Sequence, residues 1–145
     1  GSVKLKSSTH IIHLNQKIHL MKILKTILFS LFGLLFVNGG MDKFLHYMPM
    51  PTEGLSEELM RDNNAFGEIT WLMPLVGFAE LLGGLLILIP KTRALGILVI
   101  FPVMVGILLT HITVAPDGLI MAVILWALLL WMIVDNKSKY LPLVR

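Results

Sequence analysis

Long apolar runs separated by short polar segments dominate the chain. Four runs, at about 23–39, 70–89, 94–113 and 117–134, contain at most one charged residue each. Each is close to the roughly 17 to 25 residues that an α-helix needs to cross a bilayer core. None alternates polar and apolar positions as a barrel strand does. The pattern predicts an all-α integral membrane bundle of four helices.

Composition places the chain in the same class. Hydrophobic residues make up 56% and charged residues 14% of its 145 residues, against roughly 25% charged in an average soluble domain. The mean hydropathy is +0.82. The sequence has no cysteine, which excludes disulfides, thiol redox chemistry and thiolate metal sites. The lipid bilayer is therefore the first expected partner.

Lysine and arginine cluster on one side of the predicted bundle. They lie before the first run, between the second and third, and after the fourth: Lys22, Lys25, Lys91, Arg93, Lys137, Lys139 and Arg145. The two remaining loops are mainly acidic. By the positive-inside rule, both termini are predicted to be cytoplasmic, as in a bacterial-type inner membrane. The net charge of +3 then reflects topology, and no nucleic-acid partner is expected.

The first run permits two interpretations. It begins near Met21, a natural start residue, and resembles a secretory signal peptide in its basic and apolar regions. A retained helix is favoured because Asn38 and the following "GGMDKFL" lack a clean small-residue cleavage site. Residues 21–145 then form the single domain, and residues 1–20 are a tag or extension outside the fold that could form a short interfacial helix. The histidines of this extension lack a partner carboxylate, and no metal site is expected.

The longest polar segment, "YMPMPTEGLSEELMRDNNAFGEIT", lies between the first two runs. Pro49 and Pro51 predict an extended or turning path, because proline removes a backbone donor and restrains the preceding residue. Ser56 can then cap a short helix whose first turn holds Glu57 and Glu58. We expect this helix to lie at the outer face of the bundle. It could act as a lid over the bundle or serve only as an interfacial connection.

One carboxylate, Glu80, lies about ten residues from either end of the second run. A charge at that depth costs about 2.5 to 3.5 kcal/mol on insertion scales, so Glu80 should face protein and be paired or protonated. Gly77, Gly83 and Gly84 share its helix face and allow a neighbouring helix to pack closely. Glu80 is therefore predicted to point into the bundle. There it either only forms hydrogen bonds between helices or belongs to a functional polar pocket.

Other polar residues fall in the same half of the predicted bundle. Asn38 and Lys43 follow the first run, and His111 ends the third. Lys43 could reach Glu80 or extend toward the headgroups instead. We interpret Asn38, Lys43, Glu80 and His111 as candidate ligand-binding or proton-transfer groups of an outer-half pocket. No catalytic residue can be assigned.

Several motifs together resemble a known family. The runs "GLLFVNGGMDKF" and "VGFAELLGGLLILIP", the basic turn "KTR" and a third helix ending at His111 are similar to the DoxX-like family of small four-helix membrane proteins. The resemblance covers Met21 to about Asp135. Its most specific positions are Asn38, Lys43, Glu80, Gly83 and Gly84. It implies a membrane subunit linked to quinone-dependent sulfur-compound oxidation or to oxidative-stress responses, although many members have no known activity.

Three functions remain open from the sequence. The first is a membrane-embedded subunit that binds a quinone or lipid-like molecule and is redox-linked. The second is a structural or assembly partner of another membrane protein or of a second copy of the chain, docked through the glycine stripe. The third is a small transporter, which one central acid supports less well. The sequence contains no independent catalytic motif, so any enzymatic role would be as a subunit of a quinone-linked oxidoreductase.

Overall fold

The chain is helical over most of its length, which confirms the predicted all-α class. The computed structural model describes residues 1–49 and 54–145. Its helices are α1 Ser2–Leu45, α2 Glu57–Glu68, α3 Leu72–Leu88, α4 Arg93–Thr113, α5 Leu119–Asp135 and α6 Lys137–Tyr140, with short 3-10 helices at Pro116–Gly118 and Leu141–Val144. The path predicted at Pro51 lies outside the described residues.

Several of these helices are long and apolar enough to cross a membrane. Among the described residues, three qualify alone: Ser2–Leu45, Arg93–Thr113 and Pro116–Asp135. Helices α2 and α3 qualify together but are bent by 92° at the break between them. The count is therefore three spans, or up to four if the bent pair forms one, and it indicates a membrane protein.

Helix α1 extends well beyond its apolar run. It contains 44 residues, and at 1.5 Å per residue its length is about 66 Å, roughly twice a bilayer core. Residues 2–20 continue the same helix without a break, so they do not form a separate interfacial helix, and each of them is exposed. Whether they belong to the native fold stays a prediction.

Glycines bring α1 and α3 into backbone contact. A Cβ atom added to Gly84 would lie 2.6 Å from the carbonyl oxygen of Gly33, and one added to Gly40 would lie 2.6 Å from that of Gly77. No side chain fits at such distances. The predicted packing role of Gly77 and Gly84 is therefore seen against α1.

Gly83 faces a different neighbour. A Cβ atom there would lie 2.9 Å from Cγ1 of Ile100 in α4, and one on Gly96 would lie 2.8 Å from the carbonyl oxygen of Gly83. The predicted glycine stripe thus serves two helices, because adjacent positions on a helix point about 100° apart. Helix α3 lies between α1 and α4 as a result.

A shared apolar core joins α1, α3, α4 and α5. Its members are Phe29, Phe32, Phe36, Ile87, Ile97, Ile100, Met104, Leu129 and Met132. Trp126 secures α5 to α4 through a 3.0 Å hydrogen bond from Nε1 to the carbonyl oxygen of Met104. Its ring also meets Phe101 edge to face at 5.4 Å. Aromatic packing of this kind adds stability beyond simple burial.

Charged and polar groups at the end of the bundle near α6 are held by backbone carbonyls. Buried Arg93 donates from Nε to the carbonyl oxygen of Ile87 at 2.8 Å, and its guanidinium lies 5.1 Å from the ring centre of Phe29. The hydroxyl of Tyr140 donates to the carbonyl oxygen of Ala94 at 2.7 Å. These contacts fix the start of α4 against α1 and α6. We call this end the α6 end and the opposite one the α2 end.

The start of α2 follows the predicted capping pattern. The hydroxyl of Ser56 accepts a hydrogen bond from the backbone N–H of Leu59 at 3.2 Å. The first turn contains Glu57 and Glu58, which suit the positive end of the helix dipole. The Ser56 hydroxyl also donates to the carbonyl oxygen of Val114 at 3.3 Å, so α2 is tied to the end of α4.

We expect Gly84→Ala to destabilise the protein by about 1 to 3 kcal/mol, because a methyl group must push α1 and α3 apart. Gly106→Ala is the matched control, since a Cβ atom at Gly106 meets nothing within 4 Å. Thermal unfolding followed by circular dichroism in lipid bicelles measures both. Equal stability of the two variants would contradict the close backbone contact.

Burial raises the pKa of Tyr140 to about 12, against about 10 for a free phenol. The folded state therefore favours the neutral phenol. The resulting stability is present below pH 10 and is lost as pH rises from about 10 through 12. The ultraviolet absorbance of tyrosinate in the wild type, minus that of Tyr140→Phe, should give this midpoint. A midpoint near the free value would show that the phenol is open to water.

Candidate functional site

An ion pair between α1 and α3 forms the centre of the candidate site. Nζ of Lys43 donates to both Oε1 and Oε2 of Glu80 at 2.9 Å. The side chain of Glu80 is 8% exposed and that of Lys43 is 23% exposed. Glu80 faces the bundle, as the sequence predicts, and Lys43 takes the first of its two predicted orientations.

Two glycines make room for this pair. A Cβ atom on Gly39 would lie 2.8 Å from Oε2 of Glu80, and one on Gly77 would lie 2.9 Å from Cβ of Lys43. Gly39 precedes Lys43 by one helical turn, so both face α3. The sequence places Gly39 and Lys43 on one helix face. Only the structure shows that the Glu80 carboxylate lies against Gly39.

The ion pair lies in the wall of an open cleft between α2, α3 and α4. The cleft has a volume of about 570 Å³ and is mainly apolar. Helix α2 contributes Leu59 and Phe66, and α4 contributes Pro102 and Gly106. Gly106 widens the space, because nothing lies within 4 Å of where its Cβ would be. We call this space the α2 cleft.

His111 lines the α2 cleft together with Lys43 and Glu80. Its Nδ1 is 2.7 Å from the carbonyl oxygen of Ile107. Because a carbonyl oxygen only accepts, this contact assigns the ring proton to Nδ1. The other edge of the ring packs against Gly118, where any side chain would collide with it. The structure thus brings three of the four predicted polar residues to one cleft.

Asn38 is the exception, and its role in ligand binding or proton transfer stays a prediction. It is exposed and does not line the α2 cleft. Its Oδ1 accepts a hydrogen bond from the hydroxyl of Tyr47, and its Nδ2 lies 3.4 Å from Sδ of Met48. The chain reverses at His46, which has a left-handed φ of 51° and donates to the carbonyl oxygen of Asp42 at 2.7 Å. Asn38 therefore secures the end of α1.

Two polar residues of α2 also line the cleft, and sequence reasoning missed them. Asp62 and Asn63 fall between Leu59 and Phe66, at the three- and four-residue spacing of one helix face. That spacing was readable in the sequence, but the neighbour it would face was not. Within residues 1–49 and 54–145, no group of three or more His, Asp or Glu side chains could hold a metal ion.

We expect Lys43→Met to destabilise the protein by about 3 kcal/mol, because it leaves a buried carboxylate unpaired. Glu80→Gln should cost less, since the more exposed Lys43 can turn toward water. The double variant Lys43→Met/Glu80→Gln should lie within about 1 kcal/mol of the wild type. A double-mutant cycle of unfolding free energies measures this coupling. Additive losses would contradict a tight pair.

Comparisons of this chain with protein-family models, curated proteins and solved structures found no match. The chemistry of the site is therefore defined by the contacts that its residues make in the structure. These are a neutralised ion pair, a histidine with an assigned tautomer and an apolar wall, all of which border one cleft.

Proposed function

We propose that this chain is a DoxX-like integral membrane protein that binds a quinone or lipid-like molecule in the α2 cleft and acts as a redox-linked membrane subunit. The proposal includes four spans with cytoplasmic termini in a bacterial-type inner membrane, and α2 lying at the outer face. The observation that carries it is the Lys43–Glu80 pair in the wall of an otherwise apolar cleft. The open cleft beside the pair supports a binding role in addition to contact between helices.

The α2 cleft suits an apolar molecule with a small polar head. Its volume of about 570 Å³ falls within the roughly 300 to 1,000 Å³ typical of small-molecule sites. An ammonium group has three N–H donors, and Glu80 uses two of those of Lys43. The third can donate to a carbonyl oxygen of the ligand, while Leu59, Phe66 and Pro102 contact its apolar part.

Charge balance favours a neutral head group. Glu80 already neutralises Lys43, and Asp62 adds a negative charge to the cleft lining. An anionic ligand would be repelled by Asp62 and would compete with Glu80 for the same ammonium group. A carbonyl or hydroxyl group can hydrogen-bond to the pair without breaking it.

The residues of the cleft can also hold protons. A bound quinone supplies reversible two-electron, two-proton chemistry. Glu80 and His111, together with Asp62, are cleft residues that can take up or release a proton at a carboxylate or an imidazole nitrogen. The side chain of Glu80 is only 8% exposed, which limits its own contact with water.

A variant that fills the cleft tests the proposal without disturbing the ion pair. Gly106→Leu places a side chain in the α2 cleft, and Gly67→Leu adds the same side chain to α2 outside the cleft lining; both positions are open to a Cβ atom. The proteins are purified gently, and the extracted quinones and lipids are quantified by mass spectrometry. We expect Gly106→Leu to lose the bound molecule by roughly 5- to 150-fold, the equivalent of overpacking a site by about 1 to 3 kcal/mol.

The control Gly67→Leu should retain the bound molecule at the wild-type level. Added short-chain benzoquinone and added fatty acid then distinguish the two ligand classes, because the charge balance predicts preference for the neutral quinone. Identical extracts from wild type, Gly106→Leu and Gly67→Leu would reject the α2 cleft as a binding site.

A further inference from the structure

A second, smaller space lies at the α6 end, between α1 and α5. Its volume is about 300 Å³, and three lysines of α1 line it: Lys17, Lys22 and Lys25. Helix α5 contributes Trp131 and Asp135, which are one helical turn apart. We call this space the α1–α5 groove. It is formed by other residues than the α2 cleft and has the opposite charge character.

The α1–α5 groove carries a surplus of positive charge. Lys25 pairs with Asp135 at 2.8 Å, so these two charges cancel. Within the described parts of the chain, the only other ion pair is that of Lys43 with Glu80. Lys17 and Lys22 therefore have no acidic partner there, although both line the same groove. Two uncompensated ammonium groups that line one groove favour an anion in it.

The floor of the groove is apolar and aromatic. Trp131 meets Phe29 edge to face with ring centres 5.2 Å apart, which fixes its position. Ile18 and Met21 line the groove and are 54% and 55% exposed. Tryptophan in membrane proteins is enriched at the level of the lipid headgroups. The groove thus combines lysine ammonium groups with an exposed apolar surface.

We propose that the α1–α5 groove binds an acidic phospholipid. Lys17 and Lys22 contact its phosphate, and its acyl chains cover Ile18, Met21 and Trp131. Basic grooves between membrane helices are known to hold such headgroups. The apolar floor identifies a lipid as the source of the phosphate, because a free phosphate ion would leave that floor exposed. This site is independent of the α2 cleft and of its proposed ligand.

Lysine geometry fits a headgroup. Lys17 and Lys22 are five residues apart, or about 7.5 Å along the helix axis. Flexible lysine side chains can extend toward one phosphate over such a distance while their stems lie on apolar surface. The carboxylate of Asp135 also lines the groove, but its bond to Lys25 removes most of its repulsion of an anion.

Native mass spectrometry of the full chain in detergent tests this proposal. The protein is titrated with phosphatidylglycerol, with phosphatidylcholine and with inorganic phosphate. The variant Lys17→Gln/Lys22→Gln removes two charges from the groove. Its matched control, Lys4→Gln/Lys6→Gln, removes two exposed charges from the same helix outside the groove. All four positions are exposed, so both variants should fold, which far-ultraviolet circular dichroism verifies.

We expect wild type and control to bind phosphatidylglycerol in preference to phosphatidylcholine. The groove variant should bind phosphatidylglycerol roughly 30-fold more weakly, as expected for two lysines near a lipid surface. Lys17→Arg/Lys22→Arg should restore binding because it restores the charge. Equal weakening in groove variant and control would overturn the proposal in favour of general attraction to anionic lipid. Binding of inorganic phosphate as tightly as the lipid would overturn it in favour of a free-anion site.

Discussion

Helices α1 and α3 approach until their backbones touch, because glycines remove the side chains that would separate them. The contacts of Gly33 with Gly84 and of Gly40 with Gly77 set the distance between the helices. At a normal helix separation of 8 to 10 Å, larger residues would fill this seam. The carboxylate of Glu80 would then find a side chain where it now finds the open surface of Gly39. The polar chemistry of the α2 cleft thus depends on residues that have no side chain.

Part of the structure and of the site is predictable from the sequence. The spacing of apolar residues and the free-energy cost of a charge inside the bilayer can both be judged from a short stretch of chain. The last three apolar runs locate α3, α4 and α5 to within a few residues, whereas α1 begins about twenty residues before its run. The position of Glu80 among glycines predicts a buried acid at a close helix contact, and the structure has one. The choice of Lys43 between Glu80 and the headgroups needed the structure, since a long side chain can satisfy either from the same backbone position. The place of Gly39 against the carboxylate needed it too.

The remaining features depend on where the chain turns, and periodicity carries no information about turns. Asn38 lies on the predicted helix, but the left-handed residue His46 returns the chain to it, and Tyr47 becomes its partner. In the same way, Asp62 lines the cleft only because α2 meets α3 at 92°. Such bends arise from a few residues between helices, whose conformation is set by the packing around them.

The two ends of α2 are attached to the bundle with different strength. Three residues separate α2 from α3, and the N–H of Leu72 closes that turn onto the carbonyl oxygen of Ile69 at 3.0 Å. At the other end of α2, within residues 1–49 and 54–145, one hydrogen bond of Ser56 reaches Val114. Such a bond contributes about 1 kcal/mol, which is no more than the burial of one or two methylene groups. Helix α2 is thus joined to α3 by a short closed turn and to the end of α4 by a weak polar contact, so apolar contacts such as those of Leu59 and Phe66 in the α2 cleft matter at least as much for its position.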